Sequence, residues 1–495
     1  MESLAKDRSL RLYEPDDFYA KQIVIDSDWV KLSMMPSLLR ASHRFAEHRA
    51  ALAPPRARQH FRKHGVAHPG DIQIEHEIAE ALFDKQFLRG PRETCSRQTI
   101  ATQIKTAVEA GDAITMVIPA LPFKFSSPLK SRGPDPDLGE INFLLTLVEI
   151  VWTVENLYRT ARPGLSGTLA RFIVVSDGSR FREIVGEPAE RLQRYRHGLN
   201  HTINALGIED HIVIVDYLEA IKDRLPETLL QAKRSIVKDA RRQYAELMWP
   251  IFDADAMHKT LRAATTIEPD PESKNQQGRF VSLLKSLIFT INYKSLGAFA
   301  AAGRGKSHPA LYREITAHLF HPYNVVADDQ DRGEVLEHRG QKLEQLSSRA
   351  TEDLRIAMLN EAWQATIDYL AEIRGDRDLA TDPISVAFPN CLRWTIHPKA
   401  GQLALSTSHM LATPIQCWAG SGAIRRTKEG RLMLCTLPAL ALEGRGARPV
   451  VVTEAGSAQT SPPQPLFYLD PSISIDGAGA LLADLDRNLT RLKTN

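Results

Sequence analysis

The sequence predicts an α/β protein built on a mostly parallel, doubly wound sheet with flanking helices, to which antiparallel C-terminal strands and a helical insertion are added. Three stretches carry that expectation. AITMVIPAL at 113–121 is a short continuous apolar run of the kind that forms a strand buried on both faces, and GEINFLLTLVEIVWTVENLYR at 139–159 follows it as a long apolar-periodic helix. LARFIVVSDGSRF at 169–181, a helix holding Arg191, Tyr195 and Asn200, and HIVIVDYLEAI at 211–221 repeat the alternation. Buried strands separated by helices pair in parallel, and such sheets bind ligands beyond the carboxyl ends of their strands. Lys124, Asp177 and Asp216 stand just past those three ends.

The loop after the first strand is the most informative stretch. Prolines at 119, 122, 128, 134 and 136 forbid a helix and preset the backbone, so Ser126, Ser127, Lys130, Arg132, Asp135, Asp137 and Glu140 ride on a stiff connection. Asp135, Asp137 and Glu140 fall near the start of the next helix, where negative charge is favoured.

Composition narrows the class. Hydrophobic residues at 43% and charged residues at 25% are ordinary globular values, and 495 residues suffice for a sizeable core. Lys plus Arg at 62 against Asp plus Glu at 60 leaves a net charge of +2, so neither nucleic acid nor an anionic membrane is an expected partner. No apolar run reaches the roughly 18 to 20 residues of a membrane span. Cys95, Cys391, Cys417 and Cys435 show no CxxC spacing, and no export signal is read, so a reduced, cytoplasmic protein is expected.

The chain divides into a helical N-terminal extension at 1–70, a core at 71–250, a helical insertion or cap at 251–348, a helix and antiparallel strands completing the core at 349–455, and a loose tail at 456–495. In the extension, Leu38 to Ala53 reads as helix lying on the main body. From Phe388 the periodicity switches to two: CLRWTIHP, QLALSTSH, LATPIQCWAG and RLMLCTLPAL read as antiparallel strands, with Arg393 and His397 on one face.

Lys124, Lys130 and Arg132 with the serines suit a phosphate, and they suit an exposed charged loop equally well. Asp177-Gly178 and Asp216-Tyr217 are strand-end carboxylates or simple turn formers. Arg393 and His397 would bind an anion and move protons if their face looks toward the carboxyl edge of the sheet, and would otherwise be a half-exposed sheet face. His197 with His201, and His318 with His321, have helical metal-ligand spacing but no HExxH glutamate and no third ligand, so no metal is expected. Neither a Walker A loop nor a GxGxxG is present.

Taken together, PALPFKFSSPLKSRGPDPDLGE, SDGSRFREIVG with ERLQRYRHGL, HIVIVDY, and FPNCLRWTIHP followed by TPIQCWAG resemble the ordered blocks of the pyoverdine/dityrosine biosynthesis family of isocyanide (isonitrile) synthases. The resemblance implies a Rossmann-like enzyme of carbon-carbon lyase type. Such an enzyme condenses the amino group of an aromatic amino acid, tyrosine or tryptophan, with the C2 carbonyl of ribulose 5-phosphate to leave an isonitrile. It implies no metal or redox cofactor, ribulose 5-phosphate as co-substrate, a role in secondary metabolism, and a downstream oxygenase in the same pathway. Carried over by position, Lys124, Asp177 and His397 would be catalytic. Ser126, Lys130, Arg132, Asp137, Glu140, Tyr195, Asp216 and Arg393 would bind substrate. The family's TPWH reads TPIQ here, which leaves two alternatives: a divergent member joining a sugar phosphate and an amine to another product, and a non-catalytic binding protein on the same fold.

Overall fold

The computed structural model of the protein describes residues 22–66, 68, 72–88, 95–125, 130–248, 283–284, 287, 349–396, 400–406, 416–426, 432–437, 439–443, 446–453 and 464–473. In chain order these form β1 (Ile23–Asp26), α1 (Met35–His64), α2 (Ile74–Leu82), α3 (Arg97–Ala110), β2 (Ile114–Pro119), α4 (Leu138–Ala161) and β3 (Ala170–Ser176). There follow α5 (Gly178–Phe181), α6 (Ala189–Leu206), β4 (Ile212–Asp216), α7 (Tyr217–Lys222), α8 (Glu227–Met248), α9 (Arg349–Arg377) and α10 (Pro383–Ala387). The C-terminal part holds β5 (Leu392–Thr395), β6 (Leu403–Ala404), β7 (Ser421–Arg426), β8 (Leu432–Leu437), α11 (Ala439–Glu443), β9 (Arg448–Thr453) and β10 (Pro465–Leu469). No helix among the described residues is long and apolar enough to cross a membrane.

Five strands in the order β4-β3-β2-β5-β6 make one sheet, and every pairing in it is parallel. The expected α/β architecture is therefore present. Chain order runs outward from β2 through β3 and β4 on one side and resumes on the other with β5, so the strand order reverses between β2 and β5. In sheets of this kind the crevice for ligands opens at that reversal, past the carboxyl ends.

The two faces of the sheet are covered differently. Met116, Ile118, Phe172, Val174, Leu392 and Trp394 join the large core around α4, whereas Val117, Ile173, Val175 and Cys391 join a smaller cluster with Tyr217, Ile221 and Ile384 of α7 and α10. α4 is buried along most of its length, including Leu144, Leu147, Val151 and Val154, as befits a helix sandwiched between sheet and outer helices.

α1 covers α4, turning Met35, Leu38, Phe45 and Phe61 inward. Arg49 crosses to Glu149 of α4 at 2.5 Å, and its guanidinium lies over the Phe87 ring at 3.9 Å. The helix read over Leu38 to Ala53 is thus part of a longer one that lies on the main body. β1 precedes it, four residues with no periodic signature of their own.

A second, mixed sheet runs β1-β9-β10-β7-β8. β7 and β8 pair antiparallel; RLMLCTLPAL supplies β8 as a strand, as the sequence predicts, whereas β7 at Ser421–Arg426 falls outside the predicted strands, and the earlier C-terminal stretches differ. CLRWTIHP supplies β5, parallel to β2, and QLALSTSH supplies β6, parallel to β5. α9 and α10 precede β5 and return the chain to the same edge, which is what parallel pairing requires. Cys417–Ala419 is a single 3-10 turn rather than a strand. The tail adds β10 between β9 and β7. The helical insertion or cap read at 251–348 lies outside the described residues, apart from helical residues at 283–284 and 287.

Candidate active site

The loop leaving β2 is held in a costly conformation. Leu121, fully buried, has φ 54, a left-handed backbone that a branched side chain rarely adopts. Its neighbour Pro122 runs so close to Gly178, the first residue of α5, that a Cβ on Gly178 would collide with the Pro122 carbonyl oxygen. The loop is therefore pressed onto the end of β3 before it delivers Lys124.

Asp137 and Glu140, the two acids of PDLGE, form a capping box at the N-terminus of α4. Asp137 Oδ1 accepts from the Gly139 amide at 2.7 Å, and the Asp137 amide donates to Glu140 Oε2 at 2.9 Å. A capping box usually lies at the surface. Here both carboxylates are buried and turn to one ammonium: Lys124 Nζ lies 2.8 Å from Asp137 Oδ2 and 2.6 Å from Glu140 Oε2.

Two further elements complete the cluster. From α6, the buried Tyr195 hydroxyl donates to Glu140 Oε1 at 3.2 Å. From β7, the Gly422 amide donates to Asp137 Oδ1 at 3.1 Å. Gly422 reaches that position because it has no side chain: a Cβ there would strike the Gly139 amide. The mixed sheet thus closes over the helix start. Cys417, one turn before β7, is buried against the same groups.

One ammonium between two carboxylates has a definite electrostatic outcome. Burial alone would lower the Lys124 ammonium, but Asp137 and Glu140 outweigh it and hold the amine protonated. Burial pushes the Glu140 carboxyl up despite Lys124, and the like charge of Asp137 pushes the same way. Burial likewise raises the Tyr195 phenol and the Cys417 thiol. The arrangement is a closed, hydrogen-bonded set in which one ammonium is shared by two buried carboxylates and the Tyr195 hydroxyl donates to one of them.

The remaining loop cations have protein partners. Arg132 Nε and Nη2 both bond Glu443 of α11, at 2.8 and 2.5 Å, and the Tyr468 hydroxyl joins the same carboxylate at 2.9 Å. Lys130 lies over the Phe125 ring at 4.7 Å, and burial pushes its amine down to about 7. Asp135 pairs with Arg194 of α6 through both oxygens, at 2.7 and 2.6 Å.

Among the strand-end acids, Asp177 is half-buried past β3 and lies within electrostatic reach of Arg180 and Tyr369. Asp216 caps α7 by accepting from the Glu219 amide at 3.1 Å, and it pairs with Arg196. The structure therefore gathers Lys124, Asp137, Glu140 and Tyr195 into one cluster, with Asp177 at the neighbouring strand end. It does not bring Arg393 there. Arg393 donates from Nε to Asp382 Oδ2 at 2.8 Å and from Nη1 to the Val117 carbonyl at 3.2 Å, on the sheet face away from α4.

Ser126 and His397 lie outside the described residues, as do His318 and His321, while His197 and His201 are exposed on α6. The sequence reading missed Cys417 as a neighbour of the cluster; only its position beside Gln416 and Trp418 hinted at it. Gln416 itself is half-buried, and its Oε1 meets no donor among the described residues.

Comparison with known proteins bears on this region. Residues 104–287 match the sequence model of the pyoverdine/dityrosine biosynthesis protein family, a span that includes β2, β3, β4 and the whole Lys124 cluster except its β7 contact. An L-tryptophan isonitrile synthase of Fischerella ambigua is 24% identical over 143 residues, covering 28% of this chain and 42% of that protein. The chain thus spans less than half the length of that relative. A solved structure, PvcA of Pseudomonas aeruginosa, aligns with a TM-score of 0.41 at 16% identity, covering 81% of this chain and 100% of that one.

Proposed function

With the resemblance to the pyoverdine/dityrosine biosynthesis family shown over residues 104–287, we propose that this protein is an isonitrile synthase. In this reading the amino group of an aromatic amino acid attacks the C2 carbonyl of ribulose 5-phosphate, water leaves to give the imine, and C2 is the source of the isonitrile carbon. The product would pass to a downstream oxygenase of secondary metabolism. The observation that carries the reading is the buried Lys124–Asp137–Glu140–Tyr195 cluster, which lies within the matched residues at the carboxyl end of β2, beside the point where strand order reverses.

The condensation needs proton transfers at both partners: the ammonium must lose a proton before its nitrogen attacks, and the carbonyl oxygen must gain protons to depart as water. Asp177, half-buried at the end of β3, would face the reactants and accept the amine's proton. The buried cluster would set the loop against β3 and supply protons from Glu140, whose carboxyl is raised by burial. The unmatched Gln416 Oε1 would accept a hydrogen bond from the substrate.

A second reading, a divergent condensing enzyme with another product, is favoured by Gln416 itself, because an amide cannot donate a proton as an imidazolium does. One experiment separates the two. The purified protein is incubated with ribulose 5-phosphate labelled at C2 and all twenty amino acids, and label is followed by mass spectrometry. A labelled isonitrile is expected. Labelled sugar consumed into a different amine adduct would favour the second reading, and no consumption would overturn both.

A further inference from the structure

We propose that a cleft against β5, lined by none of the residues of the Lys124 cluster, is a separate binding site for a small oxyanion, the carboxylate or phosphate end of a metabolite held on Arg393. The cleft has a volume of about 220 Å³ and is walled by β5, α10 and α3. That is below the roughly 300–1,000 Å³ of sites for drug-sized ligands, so it suits a small ligand.

Arg393 is well placed to receive one. Its guanidinium is buried and fixed on two sides, by Asp382 at 2.8 Å and the Val117 carbonyl at 3.2 Å, so its plane is oriented before any ligand arrives. Among the described residues Nη2 donates to no acceptor, although the side chain lines the cleft. A planar fork with one arm held and one arm open is a receptor for a carboxylate or phosphate oxygen.

The surroundings agree with that chemistry. Asp382 offsets the charge of Arg393, but the guanidinium of Arg224 stacks on the Phe388 ring at 4.9 Å and bonds the Ala387 carbonyl, so these three charged groups leave an excess of one positive charge. Asn390 stands on the rim at φ 60, a left-handed conformation that asparagine tolerates. The Phe388 ring offers an apolar wall for the body of the ligand. Cys391, pushed up to about 11 by burial, stays a neutral thiol.

The test uses the full chain and needs no turnover, so its outcome is independent of the isonitrile synthase reading. Inorganic phosphate and acetate are titrated separately by isothermal calorimetry into wild type and into Gln103→Glu. Gln103 is exposed on α3 at the cleft wall, so the substitution introduces a repelling carboxylate without touching the Arg393–Asp382 pair. Binding of at least one probe is expected, weakened at least about tenfold in Gln103→Glu by like-charge repulsion. Phosphate alone would assign a phosphate ester, acetate alone a carboxylate, and both an unselective oxyanion site. No binding of either probe, or binding unchanged in Gln103→Glu, would overturn the proposal.

Discussion

Lys124 Nζ and Glu140 Oε2 meet at 2.6 Å with neither side chain reaching solvent, although one belongs to a proline-rich loop and the other to the first turn of a helix. Removing the amine strands two buried carboxylates. Lys124→Met is therefore expected to cost about 3–5 kcal/mol, read as an earlier urea midpoint, and, under the proposed function, to abolish isonitrile formation. Adding Glu140→Gln removes one stranded charge and should restore much of the stability while turnover stays at background. If the double variant recovers activity along with its fold, Lys124 acts only as a structural tie.

The parallel sheet was legible because a strand buried on both faces has to be a continuous apolar run, as 113–121 is, and its long apolar helix announces the crossover. β5 was not legible as parallel. Alternation in CLRWTIHP reports a two-residue period but says nothing of direction, which the preceding α9 and α10 decide. The loop acids were legible as a group, and D-x-x-E at a helix start already spells a capping box. What local sequence could not show is that Lys124 would fill both carboxylates, or that Arg132 would spend its fork on Glu443, 311 residues away. Long-range partners leave no local trace. Arg393 was read as sharing a face with His397, yet which way that face looks depended on the strand's place beside β2.

Arg132 invites a test that separates anchoring from substrate binding. Its two bonds to Glu443 tie the loop to α11, so Arg132→Lys keeps the charge and loses the fork. The expected result is a lowered melting temperature with, under the proposed function, an unchanged KM for ribulose 5-phosphate. A double-mutant cycle with Glu443→Gln should give a coupling of about 1–3 kcal/mol. A KM that rises while stability holds would return Arg132 to phosphate binding.

Gly178 tests whether the loop's contact with β3 matters to the chemistry. In Gly178→Ala the new methyl meets the Pro122 carbonyl and comes within 2.7 Å of Leu192 Cδ1, so the loop must shift. Overpacking of this kind costs about 1–3 kcal/mol, and turnover is expected to fall with it. Gly164→Ala is the control, because its Cβ would meet nothing within 4 Å. Equal activity in the two variants would mean that the placement of Pro122 against β3 is immaterial.

Lys130 gives a pH signature. Burial pushes its amine down to about 7, whereas in the unfolded chain it would titrate near its ordinary value of about 10.4. Between those values the unfolded state binds more protons than the folded state, so this residue's contribution to stability rises as pH climbs from about 7 toward 10, and below 7 its full cost of a few kcal/mol is present. Lys130→Met removes the cost. The variant should melt above wild type at pH 6 to 7, with the gap closing as pH rises toward 10, because every other titrating group is common to both proteins. Paired thermal melts across that range check it, and a gap that stays constant with pH would show that Lys130 remains charged in the fold.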